Sequence, residues 1–369
     1  MVFVSPTVTC AADVKIEHID DGRFVGSIGC KSSSCHGGAG EKRSQYQTWT
    51  QRDFHARAYA VLTNARSARI AETLGSSPAT TNNRCTICHS PFQSVAPQRL
   101  GPEAHPDEGV SCESCHGAAE SWLRGHTRKD WTYATRVAAG MHDMRSYYVR
   151  ANTCIACHQN IDNDILKAGH PEIMFELDGQ LVAEPKHWRD DDPQSGLRAW
   201  LVGQAVALRE LTWELSKTNR ADLLAQWKAL VWLLNHATAA QSYLAVIAPA
   251  ADVQERFSDV QQQADAVARR AADAPLSDDS ARALLRALAA TDVDFAQVKS
   301  ASSDELLRRA QRLVVALDRL SDVVAHEQTR EVKNPKLVQL FEDVRTDFQP
   351  ARFAEHLKNF RATIDQPSH

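Results

Sequence analysis

The sequence predicts a mainly α protein in two dissimilar parts: a loop-and-helix domain over residues 22–192, then an α-helical bundle over 193–369, with a short extension at 1–21 in front. Three observations predict it. A chain of 369 residues exceeds the usual single-domain size. Fifteen of the sixteen glycines, all nine cysteines and eleven of the fifteen histidines precede Leu197. The C-terminal remainder is rich in Ala, Leu, Arg and Asp, with apolar residues at helical spacing. The composition changes in the polar run Asp190–Gly196, which holds Pro193 and Gly196 and suits a boundary.

The extension reads as the tail of a signal sequence cleaved near Ala11–Ala12. Met1–Ala12 has no basic segment and too short an apolar core to be a whole one. Cys10 falls there, and the preceding Thr-Val-Thr suits a lipid anchor poorly.

Residues 22–192 carry the remaining cysteines in a repeated pattern. Cys85-x-x-Cys88-His89, Cys112-x-x-Cys115-His116 and Cys154-x-x-Cys157-His158 are preceded by a stretched copy, Cys30-x-x-x-x-Cys35-His36. This is the attachment signature of c-type haem. Two thiols add across the two vinyl groups of one porphyrin, and the next residue offers its imidazole to the iron. The prediction is four covalently attached haem c groups, with His36, His89, His116 and His158 as proximal iron ligands. Paired Cys-x-x-Cys units could instead build zinc sites or disulfides, but neither needs a histidine directly after every second cysteine. Between the motifs the chain reads as short helices and long loops, an arrangement that four porphyrins filling the core would explain. Gly37, Gly38 and Gly117 directly follow two motifs and allow backbone to approach a ring closely.

In the helical half, Leu197–Leu215 and Ala221–Ala248 read as helices. Val253, Phe257, Val260, Ala264 and Val267 form an apolar stripe, and Ala281–Ala290 a further helix. Ser302 and Glu305 form a capping box ahead of Leu306, Leu313 and Leu320, interleaved with Ala310, Leu317 and Val324. Asn334-Pro335 is a cap followed by proline at the first helical position, and Phe353–Phe360 closes the series. About six helices in an antiparallel bundle are expected. His236, His326 and His356 stand alone on these helices and read as surface or hydrogen-bonded residues.

The sixth ligands come from the remaining side chains. Only Met141, Met144 and Met174 lie near the motifs, whereas His18, His55, His105, His126, His142, His170 and His187 are available. Two imidazoles per iron are therefore expected, with lower potentials than a His/Met pair would give.

At this point the chain resembles a family. Gly109–Gly117, Asp53-Phe-His-Ala-Arg-Ala-Tyr59 and Leu123-Arg-Gly-His-Thr-Arg128 are similar to stretches of the tetrahaem cytochrome c-554 family, over roughly residues 22–190. The resemblance implies crossed contacts, His55 reaching the third haem opposite His116, and His126 reaching the first opposite His36. Ala168-Gly-His-Pro171 and Pro185-Lys-His-Trp188 resemble motifs of larger multihaem relatives. They make His170 and His187 the candidates for the second and fourth irons, in either order, with His105 in reserve. The family leaves its second haem without a protein sixth ligand, which would open the iron at His89; the histidine supply here suffices to close every site.

The function expected is electron relay between donor and acceptor proteins in the periplasm or another extracytoplasmic compartment, where covalent haem attachment takes place. The alternative is an enzyme acting on nitric oxide, hydroxylamine or nitrite at one five-coordinate haem, with His105, Arg99 or Glu103 as proton donor. Polymerisation into a haem filament is a third reading, and the large haem-free bundle argues against it. The formal net charge of −4 speaks against a nucleic-acid partner. The most apolar stretch, Ala229–Pro249, is interrupted by Asn235, His236 and Gln241, so no membrane span is expected. The bundle leaves room for a homo-oligomer.

Overall fold

The computed structural model describes residues 22–159, 161–190, 192–218, 220–240, 257–296, 301–326 and 334–364. The extension with Cys10 and His18, the second half of the apolar stretch, and Val253 lie outside the described residues. Among those residues the chain is mainly α; the sole pairing of β type is an isolated parallel bridge between Phe24 and Leu100. The chain divides into two compact units, one of residues 1–174 with 184–189, the other of 175–183 with 190–369.

The first unit is built from short helices: α1 (Gln45–Arg52), α2 (Ala58–Val61), α3 (Ala65–Thr73), α4 (Asn83–His89), α5 (Cys112–His116), α6 (Tyr133–Ala138), α7 (Tyr147–His158) and α8 (Asn163–Lys167). Polar caps start several of them, so little hydrophobic packing is needed to define their ends. The side chains of Asn64, Asn82, Thr132, Ser146 and Asp162 each accept a backbone N–H of the first turn of α3, α4, α6, α7 and α8. The side-chain core here is thin; one cluster is Leu62, Ala71 and Ala79, with Tyr59 and Cys85 packed on it.

The second unit is a helical bundle of α9 (Leu177–Ala183), α10 (Ser195–Lys217), α11 (Ala221–Ala239), α12 (Phe257–Asp273), α13 (Asp278–Ala289), α14 (Asp292–Ala296), α15 (Ser303–Val324), α16 (Pro335–Arg345) and α17 (Pro350–Ile364). α10 is its axis. Every residue from Ala199 to Thr212 is buried, as a helix without a solvent face must be. It packs on α9, α11, α12 and α15, and α15 on α11, α13 and α16. The polar residues this burial traps are paired: the Arg209 guanidinium, 1% exposed, bonds Glu210 and reaches Asp265 on α12 at 2.6 Å. The Ser302 hydroxyl accepts from the Glu305 N–H and Asn334 Oδ1 from the Lys336 N–H, but the Glu305 carboxylate pairs with Arg309 and Lys228, so only half of the expected capping box forms.

Residues 175–183, which precede the Asp190–Gly196 run, go with the bundle rather than with the motif-bearing unit. Phe175 and Leu177 are fully buried, and the Leu177 side chain packs closely over Gly203 on α10.

Candidate haem-iron sites

The motifs occupy equivalent positions. Cys85, Cys88 and His89 end α4, Cys112, Cys115 and His116 make up most of α5, and Cys154, Cys157 and His158 end α7. The stretched motif differs. Cys30 closes a 3-10 turn, Ser27–Cys30, and a loop of turns brings the His36 N–H back onto the Cys30 carbonyl at 3.3 Å. Gly37 is obligatory there, because a Cβ would collide with the Lys31 carbonyl; Gly117, ending α5, has φ +81°, a value that favours glycine.

A buried and a half-buried carboxylate tie the first motif to the third. Glu113, between Cys112 and Cys115, accepts from the backbone N–H groups of Val25 at 2.9 Å, Gly26 at 2.7 Å and Ala119 at 2.7 Å. Glu108 accepts from the Ser27 N–H at 2.9 Å. Burial raises the pKa of Glu113 and of Glu108 above the ordinary carboxylate range, although these hydrogen bonds favour the charged form. The Cys30 and Cys112 side chains lie close enough to act on each other's charge, and so do those of Cys88 and Cys157. The first and third motifs are thus neighbours, as are the second and fourth. None of the eight motif cysteines is in a disulfide. Desolvation pushes Cys154 up to about 12 and Cys115 up as well, so these sulfurs reside where a neutral form, thiol or thioether, is favoured.

The histidines form four pairs, each joining one motif imidazole to one from outside the motifs. His36 faces His126 with ring centroids 6.2 Å apart and planes at 14°. His89 faces His170 at 6.4 Å and 72°, His116 faces His187 at 6.5 Å and 70°, and His55 faces His158 at 6.1 Å and 78°. An iron between two imidazoles would need this spacing: two metal–nitrogen bonds of about 2.0–2.1 Å plus about 1.1 Å from each nitrogen to its ring centre give about 6.2–6.4 Å.

The other ring nitrogen supports the same use. Nδ1 donates to the Gln45 side-chain oxygen from His36 (3.1 Å), to the Ala58 carbonyl from His89 (3.1 Å), to the Leu123 carbonyl from His126, to the Pro171 carbonyl from His170 (2.8 Å) and to the Pro185 carbonyl from His187 (3.4 Å). His55 Nδ1 lies 3.0 Å from Asp53 Oδ1. A hydrogen on Nδ1 leaves the Nε2 lone pair for a metal. Burial lowers the pKa of His89, His126, His158 and His187 and takes His116 down to about 4, so the rings are neutral, as a ligand must be. Paired spacing, tautomer and neutral sulfur all fit covalently held haem.

The structure differs from the family carry-over at one pair. His55 lies by His158, and His187 takes the place opposite His116. The reason is local. Asp53 ends α1, its N–H bonded to the carbonyls of Thr48 and Trp49, and its carboxylate accepts the His55 backbone N–H at 2.9 Å, which fixes where the ring can reach. His126 opposite His36 agrees with the carry-over. His105 and His142 face no imidazole among the described ring pairs; His142 Nδ1 donates to the Cys115 carbonyl at 3.0 Å. Sequence reasoning missed Glu113, Glu108 and the Nδ1 acceptors. Glu113 carries a signal only in its position inside a motif, and backbone acceptors carry none. Asp53, His55 and Glu184 also converge, with one ligand atom from each within 4.8 Å of the others. Desolvation raises Glu184 to about 7.

The motifs and the histidines that face them fit a c-type cytochrome. More closely, residues 29–117, which include the first three motifs, match the family model described as cytochrome c554 and c-prime, so the N-terminal half resembles the cytochrome c-554 family. Comparison with curated proteins and with solved structures gives no match.

Proposed function

We propose that this chain is a tetrahaem cytochrome that relays electrons between donor and acceptor proteins outside the cytoplasm, with every iron held by two histidines. One observation carries the reading: each of four motif histidines faces one non-motif histidine, at 6.1–6.5 Å. The eight motif cysteines, Cys30, Cys35, Cys85, Cys88, Cys112, Cys115, Cys154 and Cys157, would hold the porphyrins. His36 with His126, His89 with His170, His116 with His187 and His158 with His55 would hold the irons. Haem supplies a reversible one-electron couple, and two imidazoles favour the lower part of its range.

The chain's own residues keep the ligands in place in both oxidation states. Nδ1 hydrogen bonds hold five of the eight rings and a carboxylate contact a sixth, so electron exchange requires no ligand rearrangement. The neighbouring motifs, first with third and second with fourth, support short steps between irons. His170 opposite His89 favours this reading over an enzyme with an open second iron, because it fills the position a small nitrogen compound would need. No described helix is long and apolar enough to cross a membrane, and the bundle supplies a surface for partners or for a second copy. The test is a redox titration of the mature protein followed by electron paramagnetic resonance, with nitric oxide added at the end. Four low-spin irons indifferent to nitric oxide in the oxidised protein support the carrier; one high-spin iron that binds it supports the enzyme.

A further inference from the structure

We infer that the Asp53 carboxylate tunes the His55 imidazole so that the iron between His55 and His158 is the most reducing of the four. The inference rests on the four bis-histidine irons proposed above, and it concerns an asymmetry among them. Five of the paired rings make Nδ1 hydrogen bonds, all to neutral oxygens: the amide of Gln45 and the carbonyls of Ala58, Leu123, Pro171 and Pro185. At His55 the ring nitrogen instead meets a carboxylate as an ion-pair contact. Asp53 Oδ1 lies 3.0 Å from His55 Nδ1 and takes the His55 backbone N–H at 2.9 Å, so one oxygen holds both ring and main chain.

Asp53 is 4% exposed, so its charge is poorly screened. It is also firmly placed, since its N–H closes α1 on the Thr48 and Trp49 carbonyls. Glu184 stands in the same cluster, and Arg150 and His187 act on these two carboxyls from the sides. A carboxylate 3.0 Å from Nδ1 attracts the proton there and makes the ring a stronger donor to metal. A stronger donor and a nearby negative charge both favour the oxidised, more positive iron. The two effects have the same sign, and none of those five Nδ1 hydrogen bonds supplies either. Asp53 is therefore a positioning and tuning residue: it touches the ligand, never the iron.

Two variants of the mature, haem-loaded protein test this. Asp53→Asn keeps an oxygen that can accept from Nδ1 and removes the charge. It is expected to raise the lowest of the four potentials by about a tenfold change in reduction equilibrium, about 59 mV for a one-electron couple, while shifting the others less. The low-spin resonance of that same iron should move, and Asp53→Glu should restore both. Gln45→Glu makes the reciprocal change, giving His36 Nδ1 a carboxylate, and should lower a different potential in the same proportion. If Asp53→Asn leaves the lowest potential where it was, or moves all four equally, the inference is overturned. Should Asp53→Asn fail to load haem, Gln45→Glu decides alone, and an unchanged set of potentials overturns it. A high-spin iron in the unsubstituted protein would refute the bis-histidine reading instead, so the two failures are distinguishable.

Discussion

Replacing Glu113 by Ala should release the first motif from the third. The carboxylate is 2% exposed and accepts three backbone N–H groups: Val25 and Ala119 on one oxygen, Gly26 on the other. Alanine leaves the Gly26 and Ala119 donors buried, and the Val25 donor half-buried, without an acceptor. At about 1–3 kcal/mol for each such group, and with some relief from entering water, the loss is about 4 kcal/mol. Glutamine can keep the oxygen that serves Val25 and Ala119 but turns an NH2 toward Gly26, so one donor is lost and the cost is about 1–3 kcal/mol. Val25 and Gly26 lead directly into the Ser27–Cys30 turn, which carries the first attachment cysteine. Destabilisation should therefore fall first on haem one. Intact mass counts attached haems, and denaturant unfolding followed in the Soret band reads stability. Glu113→Ala is expected to lower the unfolding midpoint and yield a population with one haem fewer; Glu113→Gln should lie between it and the parent. Four haems and an unchanged midpoint in Glu113→Ala would refute the reasoning.

His187→Ala should leave the iron at His116 five-coordinate, appearing as a single high-spin signal that exogenous imidazole converts back to low spin. Arg209→Ala, which removes the buried cation that Glu210 and Asp265 share, should cost about 3–5 kcal/mol in urea unfolding. Burial pushes Glu176 above the ordinary carboxylate range despite Arg319 and Arg312 nearby. A carboxyl raised in the folded state contributes its stability fully below its unfolded pKa and loses it as pH climbs through the raised value. Bundle stability should accordingly fall over that interval, and Glu176→Gln should flatten the fall in thermal unfolding measured against pH.

Much of this was legible in the sequence because the chemistry is written locally. A haem motif must keep its two thiols and its imidazole within a few residues, and the bundle's helices announce themselves by apolar spacing and by caps such as Ser302 and Asn334. The eight histidines of the four pairs were all visible as candidates. Their partnership was only partly visible, since opposite rings come from distant segments. His126 with His36 followed the family, whereas His55 turned to His158, because the Asp53 cap fixes its backbone. Phe175–Ala183 read as part of the motif-bearing half because it precedes the polar run, yet two fully buried apolar side chains place it with the bundle. Glu113 and the carbonyl acceptors of Nδ1 could not be read, because any residue supplies a carbonyl and one glutamate on a short helix looks like another.

Axial ring geometry tests the central claim most directly. Near-parallel imidazoles, as at His36 and His126, act on the same iron d orbital and split it from its partner, giving a rhombic low-spin signal. Near-perpendicular rings act on both orbitals alike and give a far more anisotropic one, as expected at the other three sites, whose planes cross at 70–78°. Electron paramagnetic resonance of the fully oxidised protein, quantified against attached haem, should therefore show one rhombic low-spin iron and three strongly anisotropic ones. A high-spin iron, or four alike, would contradict the account.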